Sequence, residues 1–275
     1  MLICLSILGG GRGNDLIQYM HLDSFCRRNG VTFYSPTFTE KYCAQFPNLK
    51  PTPKTPYTIK KYLYNKYYRK LNPRCILGFT DESKIPEYRA QIKKDYLVTF
   101  CYGWFFNNDI YREEDVKYYQ NTFDPNVDKE RLTNKYLQKD DDQKIISVHI
   151  RRGDYKQFMD GRYYYEDDIY IKKIKEFLQV IPKQNYKILI CTNDENLDIE
   201  RYRKEFGDVI QSHEGPLEDQ YLISQTSYLL GAPSTFSQWA SIMGEVPYYH
   251  IYDASEVITE EKIIKELRGY KYKQR

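Results

Sequence analysis

In the second half of the chain, short runs of consecutive apolar residues alternate with stretches in which apolar positions recur every three or four residues, the signatures of buried strands and of amphipathic helices. The runs are Ile145–Ile150, Tyr186–Thr192, Val209–Ile210, Tyr228–Gly231 and Val246–Ile251. Helices are predicted between them over 169–180, stopped by Pro182, over 197–206, stopped by Gly207, and over 217–226 and 236–243. A last helix is predicted from a Thr259 cap to Leu267. Five strands that alternate with helices predict a parallel, doubly wound sheet, whose strands are covered on both faces and so read as unbroken apolar runs.

The first half opens on the apolar run Met1–Leu8, which ends in Gly9-Gly10-Gly11-Arg12-Gly13-Asn14. Leu16, Ile17 and Met20 then begin a helical pattern, with Asn14 as its expected N-cap, Arg27 and Arg28 in its last turn and Gly30 as its stop. A strand at Val31–Tyr34 follows, so the chain starts as a second α/β domain. A dinucleotide-binding turn is disfavoured, because Asn14 stands at the third glycine position and no acid closes the second strand near Ser35. Pro47, Pro51, Pro53 and Pro56 punctuate the next segment. A basic, Tyr-rich helix with Ile59, Leu63 and Tyr67 on one face is predicted after a Thr55 cap, and a further strand over 96–100. The polar run Lys139–Lys144 marks the expected boundary, dividing the chain into domains 1–140 and 141–275.

Composition narrows the function classes. With 275 residues, 29 tyrosines, 13 phenylalanines and a formal net charge of +3, the chain is globular and nothing in its total charge calls for nucleic acid. Lys41 to Arg74 carries no acid, which is either a solvated face or a docking surface for an acidic or membrane-bound partner. Six cysteines show no C-x-x-C and no ligand spacing, so no metal site is expected and free thiols in a reducing compartment are the simpler reading. The apolar start lacks a basic leader and is too short to span a bilayer, so the expectation is a cytoplasmic protein, with peripheral membrane contact through 41–74 as the alternative.

Ligands of doubly wound sheets bind outside the carboxyl ends of the strands. That rule selects Arg151–Asp154 after the first strand of the second domain, Asn193-Asp194 after the second, and Ser234–Gln238 after the fourth. Two arginines at a strand mouth offer planar forks of donors to a diphosphate, and the Ser234 segment opens a helix whose free N–H groups favour an anion. The competing reading of the pair is a surface salt bridge to neighbouring acids. Asp140–Asp142 has the letters of a metal-binding D-x-D but precedes a strand, so it reads as linker. Glu166–Asp168 reads as first-turn enrichment of a helix.

His149-Ile150-Arg151-Arg152-Gly153-Asp154-Tyr155 resembles the H-x-R-R-G-D-Y motif of the α-1,2-fucosyltransferases of glycosyltransferase family 11, and more distantly the α-1,6- and protein O-fucosyltransferases. Gly9–Asn14 resembles their N-terminal glycine turn. Asp219–Ser224 and Ser234–Ala240 resemble their D-x-Y-L-M-S and S-T-F-S-W-W-A segments. The resemblance implies a GT-B-type architecture of two Rossmann-like domains facing a cleft, and inverting, metal-independent transfer of L-fucose from GDP-fucose to a glycan hydroxyl. It implies Arg151 and Arg152 on the diphosphate, His149 beside ribose or guanine, Asp194 on guanine, Ser234, Thr235, Phe236 and Ser237 at the phosphates, and Gly11 and Asn14 across the cleft. Asp154 and Asp160 are both candidates for a general base, and Asp154 is equally a brace for the arginines. Asp15 and Gln238 stand where the family usually has Gln and Trp, departures that bear on acceptor and linkage. The alternatives are a GDP-sugar transferase of another sugar or linkage, and a non-catalytic binder of an acidic polymer or membrane, recognisable by salt-sensitive binding without turnover.

Overall fold

The computed structural model of the chain describes residues 1–6, 11–49, 76–93, 99–107 and 113–263. Gly9 and Gly10, the basic Tyr-rich helix expected after Thr55 and most of the acid-free stretch lie outside the described residues, as does the chain beyond Ile263. The chain divides into two compact units, Met1–Asn126 and Val127–Arg275.

The first unit is built on a parallel sheet of order β2-β1-β4-β3, with β1 at Leu2–Ser6, β2 at Phe33–Tyr34, β3 at Ile76–Phe79 and β4 at Thr99–Gly103. Helix α1 spans Arg12–Arg28. Its N-cap is Gly11 in extended conformation, so Asn14 lies inside the first turn and is not the cap. Gly11, extended, lets the helix start earlier than the first apolar repeat suggested. Helices α2 (Pro36–Tyr42), α3 (Ile85–Lys93) and α4 (Glu113–Thr122) complete the described part of this unit. Aromatic packing does much of the work here: the rings of Tyr19 and Phe38 stack at 4.2 Å, and Phe123 meets Phe38 and Phe46 edge-on. Asp115 is shared by Arg27 and Arg28, and Tyr119 donates its hydroxyl to Asp23, tying α4 to the end of α1.

The second unit carries the five expected strands: β5 (Gln143–Ile150), β6 (Asn185–Thr192), β7 (Val209–Gln211), β8 (Tyr228–Gly231) and β9 (Tyr248–His250). All pairings are parallel and the order is β7-β6-β5-β8-β9, a doubly wound sheet. The unit begins ahead of the charged run Lys139–Lys144. Helix α5 (Lys129–Leu132) and the π-turn that continues it (Thr133–Leu137) bury Leu132 and Tyr136 against Ile145, Leu189 and Leu222. Their charged side chains also point to this unit, with Arg131 and Lys135 both bonded to Glu214. Helices α6 (Asp167–Val180), α7 (Ile199–Phe206), α8 (Pro216–Ser224) and α9 (Thr235–Gly244) connect the strands. From Thr259 the described chain makes a single 3₁₀ turn, Glu260–Lys262. No described helix is long and apolar enough to cross a membrane, and the five described cysteines are free thiols.

Lys173, inside α6, is fully buried. Its Nζ donates to Glu176 Oε2 at 2.8 Å and to the backbone carbonyl of Glu256, pinning the segment after β9 onto α6. Removing the side chain empties a buried site and takes a charged donor from Glu176 and from the Glu256 carbonyl. Lys173→Ala should therefore cost about 3 kcal/mol of stability in urea denaturation, and a loss within the error of the measurement would contradict this role.

Candidate functional site

The connections that leave β5 and β8 run to opposite sides of the sheet, which opens a crevice at their carboxyl ends. His149, Arg151 and the Ser234 segment meet there. His149 and Gly231 are partners across β5 and β8. A Cβ at Gly231 would stand 2.7 Å from the His149 carbonyl, so the close approach of these strands requires glycine. The imidazole of His149 is buried, packs on the ring of Phe236 at 4.9 Å, and has Nδ1 2.5 Å from Ser237 Oγ. Burial, with the nearby Arg151 charge, pushes its pKa down to about 3, so it is neutral at physiological pH.

Arg151 spans the crevice. Nε and Nη2 donate to the two oxygens of Asp154 at 3.1 and 2.8 Å, Nη1 donates to Ser234 Oγ at 3.3 Å, and the guanidinium lies 4.9 Å from the centre of the Tyr155 ring. Tyr155 is itself anchored, donating its hydroxyl to the Pro233 carbonyl. An arginine carries five N–H groups. Three are used, which leaves two without a partner among the described residues. Ser234 also caps α9, accepting from the Phe236 N–H at 3.2 Å, so Thr235, Phe236 and Ser237 form a helix first turn beside the arginine.

Arg152 faces the other way. Its side chain is only 8% exposed, and it donates to the Tyr165 carbonyl, to Asp194 Oδ2 at 2.8 Å and to Asp167 Oδ1. Arg152, expected beside Arg151 on the diphosphate, is in the structure a buried strut joining the loops after β5 and β6 to the start of α6. Asp167, read from the sequence as first-turn enrichment, is one of its partners and also accepts from the Tyr202 hydroxyl at 2.9 Å.

Asp194 closes a local turn, accepting from the Asn196 N–H at 3.0 Å, while the cap of α7 is Asp198. Burial raises the Asp194 pKa, but the bonds from Arg152 and Asn196 outweigh it and hold the carboxyl below its usual range. Asn193, just before it, ties this loop to the one after β5. Its Oδ1 accepts from the Arg152 N–H at 2.8 Å, and a Cβ at Gly153 would stand 2.6 Å from its Nδ2, which explains the glycine after the arginine pair. Asp154 is exposed and is held below the usual carboxylate range by its bonds from Arg151. Asp160 lies on the exposed turn Phe158–Gly161 with no partner among the described residues. Gly11 and Asn14 belong to the first unit, at the start of α1. Asp15 is buried and accepts from Lys41 Nζ at 2.7 Å and from the Tyr42 hydroxyl at 2.8 Å. Among the described residues no group of three or more His, Cys, Asp or Glu is arranged to hold a metal ion.

Asp219, on the first turn of α8, is buried against Ser212, which donates to it. Burial raises its pKa to about 7, with Ser212 and Cys191 opposing. The folded protein therefore keeps this proton where the unfolded chain has lost it, and stability falls as pH rises from about 4 to 7. His149 acts in the opposite sense, removing stability as pH falls from about 6.5 towards 3. Asp219→Asn removes only the first effect. From pH 5 to pH 8 the stability difference between variant and parent should move in the variant's favour by about 2 kcal/mol. Urea denaturation at the two pH values measures it, and a pH-independent difference would refute it.

A family model for glycosyl transferase family 11 matches residues 15–262. The chain belongs to glycosyltransferase family 11. It is therefore a glycosyltransferase, as the H-x-R-R-G-D-Y resemblance implied. Among solved structures, a FUT1 variant of Arabidopsis thaliana in complex with GDP is similar at 14% identity with a TM-score of 0.60, over 90% of this chain and 70% of that one. The fucosyltransferase NodZ from Bradyrhizobium is similar at 14% identity with a TM-score of 0.57, over 94% of this chain and 97% of that one. POFUT1 in complex with GDP matches at 9% identity with a TM-score of 0.54, over 89% of this chain and 94% of that one. At these identities the likeness is one of fold. No match was found among curated protein sequences.

Proposed function

We propose that this glycosyltransferase moves L-fucose from GDP-fucose to a glycan hydroxyl, inverting the anomeric carbon, without a metal and in α-1,2 linkage. The observation that carries the reading is Arg151, braced by Asp154, Ser234 and Tyr155 and left with two N–H groups at the sheet's switch point beside a helix start. Such a group meets the charge that develops on a diphosphate as it departs. GDP as the nucleotide is supported by the fold relatives, which include structures in complex with GDP and a NodZ structure soaked with GDP-fucose. Asp194 suits guanine, because each carboxylate oxygen keeps a further lone pair for the adjacent N1–H and N2–H donors. Neutral His149 is assigned to the ribose or guanine. Gly11 and Asn14, in the first unit, are assigned to the sugar and acceptor side.

GDP, unlike UDP or NAD, should raise the melting temperature in the presence of EDTA. No response to millimolar GDP would overturn the proposal. Linkage and acceptor follow from incubation with GDP-fucose and an acceptor panel, with mass spectrometry and NMR of the product.

The two carboxylate candidates are assigned different roles. Asp154 is engaged at both oxygens by Arg151 and its lowered pKa makes it a poor proton acceptor, so it is assigned as the brace. Asp160, free of partners among the described residues, is assigned as the base for the attacking hydroxyl. Asp160→Asn should lower kcat about 100-fold while the GDP-induced melting shift stays. Asp154→Asn should act mainly on the KM for donor. The opposite pattern in steady-state kinetics would exchange the two roles.

A further inference from the structure

We infer that Phe158 and Met159 form a platform on which the acceptor saccharide lays the C–H face of a sugar ring beside Arg151, an inference that rests on the glycosyl-transfer reading above. Both side chains are exposed, at 43% and 51%, among the few large apolar residues in the described part of the chain that are. They sit on an unusual turn. Met159, Asp160 and Gly161 follow one another with φ of 49°, 57° and 76°, although two of the three carry side chains that disfavour this region. The turn is held by the Arg162 N–H on the Met159 carbonyl at 3.1 Å and the Tyr164 N–H on the Gly161 carbonyl at 2.9 Å. A strained backbone that holds apolar side chains in water opposes folding twice over, and such outliers collect where a ligand needs them.

The platform is also fixed relative to the donor side. The Phe158 ring stacks on Tyr155 at 5.3 Å and 28°, and the same Tyr155 ring carries the Arg151 guanidinium. Phe158 and Arg151 thus lean on one buried, anchored tyrosine. The electron-rich face of an aromatic ring attracts polarised C–H groups, and a pyranose presents such a face while its hydroxyls point outward. Lys156, Gln157 and Asp160, neighbours of Phe158 in the sequence, are exposed and suit those hydroxyls.

The test uses the full chain with methyl β-galactoside, lactose and chitotetraose as probes, read by saturation-transfer NMR and needing no donor. At least one sugar should receive saturation at its ring C–H protons. The transfer should fall about fivefold or more in Phe158→Ala and persist in Phe158→Trp. Equal transfer in Phe158→Ala and parent, or none to any of the three sugars, overturns the platform. The GDP-induced rise in melting temperature should be unchanged in both variants, and its loss in Phe158→Ala would mark Phe158 as a donor-side support instead, overturning the acceptor assignment. A parent protein that ignores GDP overturns the donor reading alone, because the sugar measurement still decides the platform.

Discussion

Arg152→Ala is expected to lose about 3–5 kcal/mol of folding stability, the largest loss from any single truncation in the second unit. The guanidinium is buried and bonded through all three of its nitrogens, and its removal takes from Asp194 its ion-pair partner and from Asp167 the nearer of two, leaving Arg201 at 3.6 Å. Burial alone works against a charged arginine, yet hydrogen bonds from it to Asp194 and Asp167 raise its pKa further, so the charge is kept. Lysine cannot replace it, since one ammonium does not span a carbonyl and two carboxylates held on three different segments. Arg152→Lys should recover less than half of the loss. Adding Asp167→Asn and Asp194→Asn to Arg152→Met, which removes all the charges together, should recover most of it. Urea denaturation of the four proteins decides the matter. A loss below about 1 kcal/mol for Arg152→Ala would mean that the network is as weak as a surface ion pair.

The same network shows what was legible in the residues and what was not. The five strands of the second unit and the three connections at their carboxyl ends follow from local pattern, because strands covered on both faces are apolar throughout and helices between them repeat every three or four positions. Successive side chains at the end of a strand point to opposite sides. That alternation was the available signal that only one of Arg151 and Arg152 could face the crevice. The partners of Arg152 were not available in this way: Asp167 and Asp194 stand 15 and 42 positions downstream, and no local rule joins them. His149 and Ser237, 88 positions apart, pose the same difficulty.

Boundaries are hard to read for a related reason. Leu132 and Tyr136, four residues apart, are an apolar stripe too short to stand out among Lys129, Arg131, Lys135 and Lys139, yet they pack into the second core and move the division ahead of the charged run. In the first unit, β3 contains Gly78, over which the Tyr102 ring lies, and a four-residue strand with a glycine inside it carries little signal. Helix α1 starts at Arg12 because an extended glycine can lead into it, whereas the sequence reading sought a side-chain cap at Asn14.

Arg151→Ala should leave the fold intact and abolish most transfer, with kcat/KM reduced about 100- to 1000-fold, or about 3–4 kcal/mol of transition-state stabilisation. The side chain is 27% exposed and its partners tolerate its loss: Asp154 is 58% exposed and returns to water, and Ser234 keeps its capping bond to Phe236. Stability should therefore change little, in contrast to Arg152→Ala. Because the arginine is already braced, no rearrangement is needed as the diphosphate leaves, and its effect should appear in kcat as well as in KM for the donor. Arg151→Lys keeps the charge but cannot hold Asp154 with one edge and offer the remaining donors to phosphate, so it should restore only a small part of the rate. The melting shift produced by GDP should shrink in both variants. Full activity in Arg151→Ala, measured with GDP-fucose and whichever acceptor the panel identifies, would remove the diphosphate role and with it the strongest support for the proposed reaction.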